Sequence, residues 1–298
     1  MNSTDMRNTE TYDKRGYLNG DFRLFHLTDV GKQEFEFHYH DFDKIIVFLS
    51  GQVTYLIEGR SYELKPYDVV MVRHSEIHRP LIDMTVPYER IIVYLSPGFL
   101  DSYRTAEYDL GSCFQDAGKT HPHVLRMREL DARTFLSSIR QLEQACKDDG
   151  YAAPLHRQLL FLEFLIQLNR TARRSNLDYP DTASSNQKIL EIMDYINRNL
   201  EKPLDVDAVA KQAFLSRYHL MRLFRQETGY TLGHYITSKR LLAARELLNQ
   251  DMPITEICYR CGFQNYSTFL RAYRKEFQET PRKTRNSLKT DGSRPLPG

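Results

Sequence analysis

The chain changes its hydrophobic period once, and that change limits what it can fold into. From Phe22 to about Leu95 the apolar residues come in short runs: FRLFHL, KIIVFLSG, QVTYLIEG, RSYELKPYD, VVMV and YERIIVYLS. Each is rich in Val, Ile, Tyr or Phe, and breaks fall at Gly51, Gly59 and Pro66-Tyr67-Asp68. Strands recurring about every ten residues, with no helical crossover between them, predict an antiparallel sandwich or barrel. Farther on the period becomes helical. Phe135, Ile139, Leu142 and Cys146 step by 4, 3 and 4, as do Leu155, Leu159, Leu162 and Ile166, so two consecutive helices each carry an apolar stripe. A chain of 298 residues exceeds one ordinary hydrophobic core, and two domains of roughly 100 to 200 residues are expected. The predicted class is multi-domain α+β.

The second of these helices, PLHRQLLFLEFLIQLNR, is apolar on more than one face. That suits a helix that packs on its own domain and also meets a partner subunit, so residues 111–174 are read as a helical dimerisation segment and a homodimer is expected. RRSNLDYPDTASSN is polar, contains a proline and lacks an apolar period, which makes residues 175–186 a linker. Residues 1–20 are read as an arm able to close over the first domain, and residues 286–298 as a disordered tail. No run approaches the roughly 18 apolar residues of a membrane span, and the polar start MNSTDMRNTETYDKRG lacks a signal-peptide core, so a cytoplasmic protein without membrane contact is expected.

Four cysteines at 113, 146, 258 and 261 are too few and too scattered for a disulfide framework. Cys258-x-x-Cys261 lacks a second ligand pair and sits in a helical pattern, so its residues are read as core rather than zinc or redox groups. Charge is divided unevenly. Residues 187–285 hold 17 Lys/Arg against 11 Asp/Glu, whereas residues 1–186 hold 22 against 27. A basic C-terminal half behind an acidic one fits a nucleic-acid module joined to something else.

From Gln187 the chain is a succession of capped helices. QKILEIMDYINRNL places Ile189, Met193, Ile196 and Leu200 on one stripe. In LDVDAVAKQAFLSRYHLMRLFRQETG, Asp205 can cap a short helix and Ser216 a second one carrying Leu220 and Phe224, which is a helix-turn-helix. MPITEICYRCGFQNYSTFLRAYRKEF repeats it. Ile257 and Cys258 stand 48 residues after Val209 and Ala210, Asn265 is the second cap, and Phe269 and Tyr273 follow Leu220 and Phe224 at 49. Between the copies, TLGHYITSKRLLAARELLNQ reads as one helix capped by Thr231, a rod that fixes the distance between the units. Major-groove faces recur about every 34 Å, so two rigidly spaced recognition helices can read one side of a duplex.

These residues carry a resemblance. LSRYHLMRLFRQETG, RLLAARELL, ITEICYRCGF and the closing Thr280-Pro281 are similar to the DNA-binding domain of the AraC/XylS family of bacterial transcription regulators. The chain departs from the family pattern at Cys258, where Ala is usual, at Gln278, where Gly is common, and at Thr284, where an aromatic often stands. The resemblance implies sequence-specific binding of double-stranded operator DNA by residues 187–285 and adds RNA polymerase to the candidate partners. Base-reading positions are those turned away from each apolar stripe: Tyr218, Met221 and Arg222 in the first recognition helix, and Tyr266, Ser267, Leu270 and Arg271 in the second. Arg217, Arg225, Arg274 and Lys275 are assigned to phosphates, which position the protein without specifying sequence.

The β-rich part, residues 21–110, resembles the cupin-type barrel fused to many regulators of this family, through FHYHDFDKIIVFLSGQVTYLIEGRSYELKPYDVVMVRHSEIHRP. Metal-binding cupin enzymes carry His-x-His, a glutamate four or five residues on, and a later histidine. Here His38, His40 and His78 are present, but the glutamate positions hold Lys44 and Ile45. A lysine beside the histidines opposes a cation unless it is neutral, so neither metal nor cofactor is expected. His38, His40 and Lys44 share parity and project to one face, where Tyr55 and Tyr62 add aromatic hydroxyls. His38, His40, Lys44, Tyr55 and His78 are therefore the candidate binding residues for a small polar effector, of the sugar or sugar-derived kind that the resemblance implies. Three readings stay open: an effector-responsive regulator that is not an enzyme, a metal-dependent cupin enzyme or metal sensor tethered to DNA, and a barrel that serves only assembly.

Overall fold

Strand alternation and helix capping become two joined domains in the structure, a computed structural model that describes residue 18 and residues 21–31, 35–83, 85–117, 123–127, 129–173 and 186–291. The expected arm over 1–20 and linker over 175–186 lie outside the described residues except for Leu18 and Asn186, as do residues 292–298 of the expected tail. The strands are β1 (Phe22–Asp29), β2 (Asp43–Ser50), β3 (Val53–Ile57), β4 (Arg60–Glu63), β5 (Val69–Val72), β6 (His78–Ile82), β7 (Tyr88–Leu95) and β8 (Val124–Leu125). They form two antiparallel sheets, one ordered β1-β7-β2-β5-β8 and the other β4-β3-β6. Among the described residues the expected cupin-like antiparallel domain is built as a pair of facing sheets. β8, which pairs with β5, comes from the segment expected to be helical.

The larger sheet is covered on both sides, which is why KIIVFLS reads as an unbroken apolar run. Lys44 opposes Tyr94 and Ile46 opposes Ile92, and the even-numbered residues of these strands face the smaller sheet together with Phe48, Tyr55 and Val70. The odd-numbered residues Ile45, Val47, Ile91 and Val93 turn outward. After the short helices α1 (Pro97–Asp101) and α2 (Ser112–Asp116), α3 (Glu129–Cys146) and α4 (Ala153–Ala172) cover that outer face. α3 buries Phe135, Ile139 and Leu142, the stripe expected of it. α4 uses only half of the expected stripe, Leu162 and Ile166 packing half-buried against the core. It buries Phe161, Phe164, Leu165 and Leu168, and leaves Leu155 and Leu159 exposed, because the second, phenylalanine-bearing face is the bulkier one.

The C-terminal domain is α5 (Gln187–Arg198), α6 (Val206–Gln212), α7 (Arg217–Thr228), α8 (Leu232–Leu247), α9 (Ile254–Arg260), α10 (Tyr266–Phe277) and α11 (Pro281–Asp291). The caps are the predicted side chains: Asp205 accepts from the Ala208 amide, Ser216 from His219, Thr231 from His234 and Asn265 from Thr268. Ile257, Cys258, Phe269 and Tyr273 are as fully buried as Val209, Leu220 and Phe224, so the two copies share one core. Gln278 ends α10 in the left-handed conformation (φ 54°), where glycine is favoured. Thr284 is buried and accepts a hydrogen bond from the Tyr273 hydroxyl at 3.0 Å, replacing the packing an aromatic would supply. α11 runs to Asp291, so residues 286–291 are helical rather than part of a disordered tail. Among the described residues no helix is long and apolar enough to cross a membrane.

Candidate functional site

Inward-facing residues of both sheets line a small cleft open to solvent. His38, Lys44, Tyr55 and Arg90 supply its polar groups, and Phe35, Ile46 and Ile92 its apolar wall. Three of the five expected binding residues therefore line the opening. His40 and His78 stand behind them, with the His78 ring 4.5 Å from His38 and 5.2 Å from His40. Tyr62, expected beside Tyr55, is instead fully buried with its hydroxyl 3.2 Å from His123 Nδ1.

The imidazoles have defined tautomers. His38 Nδ1 lies 2.8 Å from the Glu36 carbonyl and His78 Nδ1 lies 2.9 Å from the Glu76 carbonyl. A carbonyl only accepts, so both Nδ1 atoms carry a proton, and in a neutral ring Nε2 is then the acceptor. Burial, followed by the neighbouring His38, Lys44 and His40, holds His78 well below the ordinary histidine range, and it is neutral. Burial and then the charge of Arg90 bring the Lys44 ammonium down to about 7. Arg90 is itself matched by Asp29 at 2.6 Å.

The ligand atoms of His38, His40 and His78 lie within 4.8 Å of one another, near enough to share one ion. Three converging imidazoles are a donor set that zinc accepts, but the charge around them is set against a cation. The set contributes no negative charge, and Lys44 Nζ stands 3.4 Å from His40 Nε2 where a metal-binding cupin places a carboxylate. Cys258 and Cys261 are buried in the helical core. Burial raises both thiols, Cys261 to about 12, which leaves them inert as metal or redox groups.

The strip that carries His38 and His40 has a second face. His38, His40 and Phe42 turn toward the sheets, while Phe37, Tyr39 and Asp41 meet the helical domain. The Phe37 carbonyl accepts from the Tyr230 hydroxyl at 3.1 Å, the Tyr39 hydroxyl donates to Glu276 on α10, and Asp41 pairs with Arg245 of α8 at 2.8 Å. The Phe37 ring lies against Gly229, where a Cβ would stand 2.3 Å from Phe37 Cδ2. Glu58 holds Lys239 at 2.7 Å and accepts from the Tyr235 hydroxyl at 2.9 Å. His74 bridges Asp43 at 2.7 Å and Glu246 at 3.1 Å.

On the helical domain, Arg217, Tyr218, Met221, Arg222 and Arg225 are all exposed on α7, Tyr218 at 74 %. Arg217 pairs with Asp207 at 3.2 Å. On α10, Ser267, Arg271, Arg274 and Lys275 are exposed, while Tyr266 and Leu270 are half-buried against the core. Sequence reasoning missed Arg90 and the contacts between domains. Arg90 was detectable, since it shares parity with Tyr88, Ile92 and Tyr94 in YERIIVYL. The interdomain contacts join residues up to 237 positions apart and left no periodic signal.

An AraC-like ligand binding domain model matches residues 25–165, and a helix-turn-helix domain model matches residues 209–287. The chain is 26 % identical over 260 residues to the HTH-type transcriptional activator RhaS of Escherichia coli (strain SMS-3-5), covering 85 % of this chain and 88 % of that protein. A transcriptional regulator from Chromobacterium violaceum with an AraC-type DNA-binding domain is 34 % identical over 38 % of this chain and 96 % of its own, with a TM-score of 0.33. ToxT from Vibrio cholerae is 14 % identical over 90 % of this chain and 98 % of its own, with a TM-score of 0.36.

Proposed function

This chain belongs to the AraC/XylS family of transcription regulators, which are not enzymes, and from that premise we propose a one-component regulator whose β-domain cleft binds a small polar effector and thereby changes how the two helix-turn-helix units engage an operator. The observation that carries this reading is the two-faced strip from Phe37 to Phe42. An effector against His38 shifts a backbone whose next residues, Tyr39 and Asp41, hold α10 and α8. Regulation then requires only that the effector prefer one arrangement of the domains, with a coupling of about 1 to 3 kcal/mol.

The exposed Leu155 and Leu159 on α4 support a homodimer, since a second subunit would cover apolar surface that the β-domain leaves open. Acting on operator DNA places the protein in the cytoplasm and makes RNA polymerase a partner. The hydroxyl-bonding groups of the cleft support a sugar or sugar-derived effector.

The test is selection of duplexes by the full-length protein from a random library, followed by binding measurements on the enriched sequence with and without sugars and sugar acids. The reading expects an enriched sequence and an effector that moves operator affinity at least about 5-fold, the lower end of such couplings. Tyr39→Phe should shrink that factor. A library with no enriched sequence would sink the operator reading, and an effector response untouched by every change along the strip would sink the route proposed for it.

A further inference from the structure

Two buried groups narrow the chemistry of the effector. Lys44 is 4 % exposed on the wall of the cleft, and no carboxylate among the described residues pairs with it. Its polar neighbour is His40 at 3.4 Å, and its Nζ lies 5.8 Å from the centre of the Tyr94 ring. The other cation on that wall, Arg90, is already balanced by Asp29. Folding therefore places one ammonium out of water, beside an opening, without a counter-charge among the described residues. Such a group lowers stability, and it is retained where function requires it.

An imidazole specifies the other half. With Nδ1 committed to a main-chain carbonyl and the ring neutral, Nε2 of His78 must accept. His78 Nε2 has no hydrogen-bond partner among the described residues, and His78 is 0 % exposed. A hydroxyl can donate to such a nitrogen, whereas a carboxylate or an ether oxygen cannot.

Resting on the effector-pocket reading, we infer that the cleft takes a hydroxy acid, whose carboxylate pairs with Lys44 and whose hydroxyl group donates to the acceptor nitrogen of His78. Ile46, Ile92 and Phe35 then face its carbon skeleton. A neutral sugar satisfies the imidazole but leaves the ammonium alone, and a plain carboxylate does the reverse. The depressed ammonium agrees, because it reflects burial first and then the like charge of Arg90.

The test is calorimetric titration of the full-length protein and its Lys44→Met variant with galacturonate, gluconate, galactose, acetate and zinc chloride, accompanied by melting curves without ligand. One of the two hydroxy acids should bind about 10- to 100-fold more tightly than galactose or acetate, the range for hydrogen bonds to a charged partner. Lys44→Met should collapse that margin and, by removing an uncompensated buried charge, melt higher than the parent when ligand-free. Galactose binding as tightly as the acids, with a ratio that Lys44→Met does not move, overturns the inference and leaves the effector pocket standing. Failure of all four organic probes overturns both. Zinc binding reversed by EDTA, without any organic ligand, makes the imidazoles a metal site and overturns the hydroxy acid. A lower melting temperature for Lys44→Met makes the lysine structural and also overturns it.

Discussion

The two helix-turn-helix units share a backbone and differ in how hard their surroundings press on it. In the first, the Leu215 amide donates to the Ala210 carbonyl at 2.9 Å. In the second, 48 residues on, Phe263 donates to Cys258 at 3.1 Å. Both turns place one residue at positive φ: Phe214 at 54° and Gly262 at 83°. Phe214 adopts that angle while 90 % exposed, so only its own backbone strain is at stake. Gly262 has no such room, because a Cβ would stand 2.1 Å from the Leu200 carbonyl oxygen, itself held by Arg240 Nε at 2.8 Å. The same turn chemistry is thus a preference in one copy and a requirement in the other, and the difference comes from Leu200, just after α5, and Arg240 of α8 rather than from the turn.

Gly262→Ala should sharpen this contrast most, at a cost of about 3 kcal/mol or more from left-handed strain plus the clash. Phe214→Gly should change stability by less than about 1 kcal/mol, since relief of strain is offset by greater freedom in the unfolded chain. Chemical denaturation of the full chain measures both, and equal losses would break the comparison.

The rod between the units carries a titratable contact. Burial alone would depress His74, but hydrogen bonds to Asp43 and Glu246 outweigh it and raise the group to about 9. Because the folded value lies above the unfolded one, the native state binds the extra proton between them. The stabilisation is fully present below pH 6.5, the ordinary histidine value, and disappears as pH rises through about 9. It amounts to roughly 3 kcal/mol at most. Melting curves of His74→Gln should lose this slope, and a parent-like slope in the variant would remove His74 as its source.

The reading surfaces of α7 and α10 should differ as well. Arg222→Ala is expected to relax preference at one operator position by about 1 to 3 kcal/mol. Arg225→Ala should weaken operator and random DNA alike, and lower the salt slope by about 1. On α10, half-buried Leu270 should affect folding along with binding when changed to Ala, unlike exposed Met221 on α7. Fluorescence anisotropy on both duplexes separates these outcomes, and indistinguishable profiles for the two arginines would end the division into base and phosphate contacts.

The smallest effects belong to the caps. Ser216→Ala and Asn265→Ala should each cost about 1 kcal/mol, because each removes one acceptor from the first turn of a recognition helix. A much larger loss at either cap would show that the units differ in their helices and not only in their turns.

Local rules made much of the molecule legible. The caps at Asp205, Ser216, Thr231 and Asn265 depend on side chains bonding to amides three residues on. The strand runs depend on alternation within a few residues, and the 48-residue offset on one pattern written twice. What sequence alone determined, then, was every element whose signal is local, together with the face on which His38, His40 and Lys44 gather.

The tertiary structure decided what depends on neighbours distant in the chain. α4 had two apolar faces, and only the shape of the larger sheet selected the one bearing Phe161 and Phe164. Tyr39 carries no mark of its bond to Glu276, nor Gly262 of its contact with Leu200. Nothing in KIIVFLS says that Lys44 would lie in a cleft without a carboxylate, because charge balance is a sum over all the chain brings near, and only folding fixes which groups those are.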